Sequence, residues 1–183
     1  MADDILSADA KAYRYSTTAA AIHWISAALI IAQIWLGFSF EDFPKGSPER
    51  ALYFDWHKTV GVVILLLALG RLALRLIRPS PAFPDGIPGW HQMLAKWSHR
   101  LLYFLMVALP LTGLMLTSKG GATTGLLWGL KFPTIPIPAL GEAHEPLAFA
   151  MIGLLLIHVF AALRNQFTIP SLAGRMPPFG RDG

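Results

Sequence analysis

Six histidines punctuate a chain that has no cysteine, and four of them stand in long apolar runs. His144 and His158 lie fourteen residues apart on one run, HEPLAFAMIGLLLIH. His23 opens another in AIHW, and His57 a third in DWHKTVG. An ionisable side chain is expensive inside a bilayer, so a histidine in such a run is a functional candidate by default. On a helix, fourteen residues span about 21 Å and bring the side chain back to within about 40° of the same face. One helix then carries two imidazoles on one stripe, near its opposite ends. The chemistry that suits this arrangement is a pair of stacked bis-histidine haems.

The elements that must hold these residues are membrane helices. Of 183 residues, 54% are hydrophobic and 14% charged, against about 25% charged in an ordinary soluble domain. The mean hydropathy is +0.50. The size fits a single membrane domain, 1–183. Without cysteine, the chain can form no disulfide, thiolate metal site, iron–sulfur cluster or covalent c-type haem. A net charge of +4 and a pI near 9.6 would suggest nucleic acid in a soluble chain. Here the hydropathy assigns the charge to membrane topology, and no nucleic-acid partner is expected. The first residues, MADDILSADAKAYRYS, lack the basic start and apolar run of a secretory signal, so the first apolar segment is expected to be retained.

The predicted fold class is all-α: an integral membrane, four-helix, up-and-down bundle enclosing two haems. A span needs about 20 helical residues, and four segments qualify, near 17–40, 54–77, 96–118 and 143–165. Residues 41–53 form a polar, turn-rich connection. Residues 79–95, rich in proline and glycine, are not expected to form a continuous helix. Residues 119–142 form a longer connection, with TGLLWGLKF a candidate membrane-surface stretch. The end, PSLAGRMPPFGRDG, is expected to be extended and mobile. Ten basic residues fall on the side of the termini and the second connection, and five on the other side (Lys45, Arg50, Lys58, Lys119, Lys131). The positive-inside rule therefore predicts that both termini are cytoplasmic. Trp24, Trp35, Trp56, Trp97 and Trp128 fall near segment ends or in the surface stretch, as interface anchors do.

Up-and-down topology gives each histidine a depth. His23 and His158 share the inner level, and His57 and His144 the outer level. Each pair comes from two helices, as bis-imidazole ligation of a haem iron requires. Histidines at helix ends also serve as plain interface groups, but that role does not predict two depth-matched pairs. Zinc is the rival metal; it favours closer groupings such as histidines four apart, and none occurs here. A proton relay finds no acid in the cores of segments one, three or four. His99, opening segment three, is a candidate contact for a haem propionate or a quinone carbonyl, or an interface residue. His91 is expected to be solvated in the second connection. Glycine inside a helix costs about 1 kcal/mol against alanine and needs a packing reason. Gly61, one turn after His57, and Gly37, on the stripe of His23 at the outer depth, are candidates for porphyrin clearance. Gly70 is expected to serve close helix packing, and Gly153 lies between the paired histidines. Pro110 should kink segment three beside the outer site. Arg71 is either a positive-inside anchor or a salt-bridge partner for a propionate.

The segments AIHW, WHKTVGVVILLLALGRLALR, HRLLYFLMVALPLTGLML and HEPLAFAMIGLLLIHVFAAL resemble the four helices of the bacterial di-haem cytochrome b561 family, over roughly residues 15–167. The ligand plan is also similar to that of the membrane cytochrome b subunits of formate dehydrogenases and hydrogenases. The resemblance implies an integral protein of the bacterial cytoplasmic membrane with two non-covalent haem b groups. His57 with His144 would hold the outer iron, and His23 with His158 the inner one. His99 corresponds to the family's histidine on the third helix, without an assigned iron. Some members look like quinone-linked electron carriers, and some oxidise superoxide outside and pass the electron to ubiquinone.

These features predict an oxidoreductase or electron-transfer protein that passes single electrons through the membrane, between a donor such as periplasmic superoxide and the ubiquinone pool. Lys58, Lys119 and Lys131 are candidate outer-face groups for attracting an anionic donor, with Glu142 and Glu145 opposing them. The alternative is a membrane anchor and electron-transfer subunit for a soluble redox partner or dehydrogenase. Short outer connections favour the self-contained protein.

Overall fold

The computed structural model describes residues 13–169 together with 172, 175 and 176. Four long helices form the molecule: α1 (Thr17–Ser39), α2 (Pro48–Ile77), α3 (Gly89–Thr117) and α4 (His144–Thr168). All four are long and apolar enough to cross a membrane. Large apolar side chains, among them Ile31, Leu66, Phe104, Leu156 and Phe160, remain exposed on their outer faces. Lipid is the solvent such faces require.

Two helices begin earlier than the hydropathy suggests. α2 starts at Pro48, not near 54, because Ser47 caps it: its Oγ accepts from the Arg50 amide at 3.1 Å, and Pro48 fills the first turn. Proline is preorganised for that position, where its missing N–H costs nothing. α3 starts at Gly89, not near 96. The prolines of the second connection end at Pro88, so nothing after it breaks a helix. His91 therefore lies on α3 and not in a solvated turn; its ring is stacked on Trp90, and its Nε2 lies 3.3 Å from the Asn165 amide nitrogen. α3 continues through Pro110 to Thr117.

The third connection contains an antiparallel hairpin, β1 (Thr123–Gly125) with β2 (Lys131–Pro133), in the register Thr123 opposite Pro133. Its tip bolts onto α2: the Leu127 amide donates to Thr59 Oγ1 at 3.1 Å, and the rings of Trp128 and Trp56 meet at 6.1 Å. One helical turn, Pro138–Gly141, leads into α4.

At the opposite end, Arg175 ties three segments together. Its guanidinium donates to the carbonyls of Tyr13, Pro81 and Ala82 at 2.8–3.0 Å, and its own carbonyl accepts from the Tyr15 amide at 3.0 Å. It also stacks over Phe83. Partial burial lowers its pKa from the ordinary arginine value, and Tyr15 opposes the shift. The C-terminal segment is thus anchored at this residue and is not loose there. Most of its other residues, like residues 1–12, lie outside the described part of the chain.

The buried core is small. Ile64 and Ala68 of α2, Leu105 and Met106 of α3 and Met151 of α4 form it, with Leu29 and Ile30 of α1 packed against it. Met151 is seven residues from both His144 and His158. The apolar plug therefore lies between the two histidine levels.

Candidate functional site

The bundle brings the apolar-run histidines together in pairs. At the hairpin end, His57 and His144 have ring centroids 6.1 Å apart with planes at 75°. At the Arg175 end, His23 and His158 are 6.4 Å apart with planes at 57°. Each pair joins two helices, α2 with α4 and α1 with α4. α4 carries one member of each pair because its two histidines share a face.

The outer pair has a structured surround. His144 Nδ1 lies 2.9 Å from the Leu109 carbonyl, with Thr112 Oγ1 at 3.2 Å. A carbonyl only accepts, so Nδ1 carries the proton and Nε2 keeps its lone pair. His57 Nε2 lies 3.1 Å from the Gln33 amide nitrogen. Phe40 contacts the same ring edge-on. Glycines back both imidazoles. A Cβ at Gly37 would lie 3.2 Å from His57 Cε1, and one at Gly113 would lie 3.3 Å from His144 Cε1. At Gly61 the close neighbour is the Gln33 amide at 3.3 Å, so this glycine makes room for the side chain that touches His57. Gly70 does not serve close packing: a Cβ there, as at Gly153, would meet nothing within 4 Å.

Inference from the sequence alone passed over Gln33, Thr112 and Gly113. A signal for each was present: an amide in the apolar body of α1, and a Thr-Gly pair two residues after Pro110 of α3. What linked them to the histidines was tertiary contact, which spacing along one helix does not reveal.

The inner pair has a third imidazole. His99 meets His158 with ring centroids 5.3 Å apart, and its Nδ1 donates to the Ala95 carbonyl at 2.6 Å. Its Nε2 is therefore an acceptor. Arg71 reaches to 3.4 Å from His23 Nδ1 and lies over the Tyr103 ring. His23, His99, Arg71 and Tyr103, with Tyr15, Arg75 and Arg78, line a cavity of about 240 Å³ that opens at the Arg175 end. Arg14 completes its cationic wall, and no carboxylate among the described residues lines it.

The three outer lysines are not equivalent. Lys58 pairs with Asp55 at 2.8 Å and Lys119 with Glu142 at 3.3 Å. Lys131, on β2, is exposed and has no acidic partner among the described residues. Also among the described residues, no three His, Cys, Asp or Glu side chains gather as a metal-ligand group.

Comparison with known proteins gives this site a family. Residues 14–178 match the family model for prokaryotic cytochrome b561. The chain is 31% identical over 163 residues to "Cytochrome b561 homolog 1" of Escherichia coli (strain K12), covering 84% of this chain and 90% of that protein. It is 24% identical over 166 residues to "Cytochrome b561 homolog 2" of the same organism, covering 84% of this chain and 85% of that one. A "Probable superoxide oxidase CybB" of Yersinia pestis is 25% identical over 166 residues, covering 85% and 90%. With a four-helix membrane bundle, histidines facing one another at both ends and a family match over nearly its whole length, the chain belongs to the prokaryotic cytochrome b561 family of haem-b-binding membrane electron-transfer proteins.

Proposed function

We propose that the chain carries two haem b groups, the outer held by His57 and His144 and the inner by His23 and His158. The spacing of the imidazoles carries this reading. An imidazole nitrogen bonds a transition metal at ~2.0 Å, so two rings opposed on one metal have centroids about 6.3 Å apart. The pairs here stand at 6.1 and 6.4 Å. Two opposed imidazoles, with no third side chain gathered on the same point among the described residues, suit a haem iron, whose remaining ligands the porphyrin would supply. The proton on His144 Nδ1 leaves Nε2 for the metal, and Gly37 and Gly113 give both outer rings room to sit.

A bound haem supplies the one-electron chemistry. The chain supplies two fixed levels, a dry apolar plug between them and a charged mouth at each end. With the Arg175 end cytoplasmic, as the basic residues favour, the hairpin end faces the periplasm. Arg71, inside the inner cavity, is placed to pair with a propionate. The donor proposed is superoxide, as the name of the Yersinia relative suggests, and the acceptor proposed is ubiquinone, a lipid-soluble carrier that shares the membrane with the chain. Each of two superoxides gives up one electron and leaves as dioxygen, while ubiquinone takes two electrons and two protons to become ubiquinol. Lys131 is the outer cation best placed to attract the anion, since Lys58 and Lys119 are already paired.

A pyridine-haemochrome assay on the purified chain should give two haem b per polypeptide. His144→Ala should remove one haem and His158→Ala the other, distinguished by their spectra. One haem or none in the parent chain overturns the assignment. Superoxide should reduce the bound haem in stopped flow faster than it dismutates; no such phase rules out this donor and favours a soluble redox partner.

A further inference from the structure

The two outer imidazoles are held differently. His144 Nδ1 is fixed by a backbone carbonyl, that of Leu109. The contact at His57 is a side chain, Gln33, contributed by α1. The other heteroatom of each group, Gln33 Oε1 and His57 Nδ1, is buried without a partner among the described residues. Two such orphans in one contact call for an explanation, since buried polar atoms are nearly always paired.

Ligation of a metal by His57 accounts for its orphaned nitrogen once the Gln33 amide is turned. The oxygen and nitrogen of a glutamine amide occupy interchangeable positions. Half a turn of the Gln33 amide sets Oε1 against the His57 nitrogen 3.1 Å away. The ring proton then resides on that nitrogen and donates to Oε1, and the amide NH2 takes the position that has no partner among the described residues. The second ring nitrogen keeps a lone pair, buried and with no donor among the described residues. That is the state a metal-ligating imidazole requires: one nitrogen donating to an acceptor, the other free to bind. Gly61, whose Cβ would lie 3.3 Å from the Gln33 amide, provides the space in which the amide sits.

We propose that Gln33 is a positioning residue for the outer centre, fixing the tautomer and orientation of His57 and tuning the electron affinity of the iron it holds. This rests on the assignment of His57 and His144 to one haem. An N–H that donates to an acceptor makes its imidazole a stronger electron donor, which favours the oxidised iron. Gln33 thus does for His57 what the Leu109 carbonyl does for His144. Unlike a backbone carbonyl, it can be removed by substitution.

The test is a potentiometric titration of the two haems in the purified, haem-loaded chain and in Gln33→Leu and Gln33→Glu. The hydrogen-bond partner of a metal-ligating histidine is commonly worth about tenfold or more in metal affinity or activity. Gln33→Leu should therefore shift the oxidised-to-reduced ratio of the outer haem about tenfold at fixed poise, raising its potential by ~59 mV for a one-electron couple. Gln33→Glu, the same size with a stronger acceptor, should leave it unchanged or lower it. The inner haem, held through His23 and His158, should keep its potential in both. Loss of the outer haem in Gln33→Leu, with retention in Gln33→Glu, also supports the positioning role. Equal potentials in all three proteins overturn it, as does a shift confined to the inner haem or loss of the outer haem in both variants. If the parent chain itself fails to hold two haems, the failure lies with the histidine assignment and not with Gln33.

Discussion

Gly37→Ala offers a direct test of how the outer site is built. The new methyl would lie 3.2 Å from His57 Cε1 and 3.5 Å from Nδ1. Carbon atoms in contact prefer about 3.5–4.0 Å, so the ring must retreat by a few tenths of an ångström. Gln33, 3.1 Å from Nε2, and the Phe40 ring restrict that movement. Overpacking of this kind costs about 1–3 kcal/mol. Alanine in place of glycine returns up to ~1 kcal/mol of helix propensity to α1. The stability of the chain should therefore change by no more than about 2 kcal/mol. The displaced ring, however, is one of the two proposed ligands. If ~1.4 kcal/mol of strain falls on ligation, outer-haem affinity drops about tenfold. The assay is the rate of haem transfer to a competing apo-globin, followed separately for the two haems. Gly113→Ala, whose methyl would lie 3.3 Å from His144 Cε1, should weaken the same haem. Gly70→Ala, with nothing within 4 Å, is the control and should leave both haems in place. Unchanged outer-haem retention in both Gly37→Ala and Gly113→Ala would refute the idea that these glycines exist to seat the two rings.

Other expectations follow from single contacts. Gly141→Ala would drive a methyl to 2.6 Å from Leu116 Cα and 2.9 Å from its Cβ, against backbone that cannot yield; a loss of about 3 kcal/mol or more is expected, read as a lower unfolding temperature in detergent. Thr59→Val removes the hydroxyl that accepts from the Leu127 amide, a bond worth about 1 kcal/mol, and should speed hydrogen exchange at Leu127 without altering haem content. Arg175→Ala removes three carbonyl partners and a ring contact; hydrogen bonds from a charged donor contribute about 1.5–3 kcal/mol each and overlap, so protease cleavage near residues 79–83 should accelerate severalfold. Lys131→Glu should slow haem reduction by superoxide at low salt, with the difference shrinking as salt rises, whereas Lys119→Gln, which removes an already paired charge, should have the smaller effect.

The helices were legible in the sequence because a bilayer imposes one strong requirement, a long apolar run with its backbone bonds satisfied internally. That requirement ends at the membrane surface, and so did the accuracy of the helix limits. Residues 48–53 of α2 and 89–95 of α3 are polar or mixed. Local signals, the Ser47-Pro48 cap and the last proline at Pro88, set those starts. The pairing of His144 and His158 with partners on other helices was legible because depth follows from topology. The surround of each imidazole was not. Gln33, Thr112 and Gly113 are separated from the histidines they serve by 24, 32 and 31 positions, and only packing of α1 against α2, and of α3 against α4, joins them. The hairpin escaped for a related reason: its two strands are three residues each, and Trp128 adopts a positive φ of 57° at its tip.

The position of the core bears on how the two proposed haem sites could act separately yet belong to one pathway. Ile64 is seven residues from His57, Met151 seven from both His144 and His158, and Ile30 seven from His23. Seven residues are nearly two helical turns, about 10 Å, so these side chains form a layer halfway between the levels. Ala68 is fully buried there and Met151 nearly so. Polar groups instead cluster at the two ends: Gln33, Thr112 and Leu109's carbonyl around the outer pair, Arg71 and His99 around the inner. Each level therefore has its own set of contacts, separated by apolar side chains. A variant that shifts one level should leave the other unchanged unless it disturbs the plug. Met151→Asn, which places an amide in that layer, should perturb both levels together, and a change confined to one of them would show that the plug does not couple them.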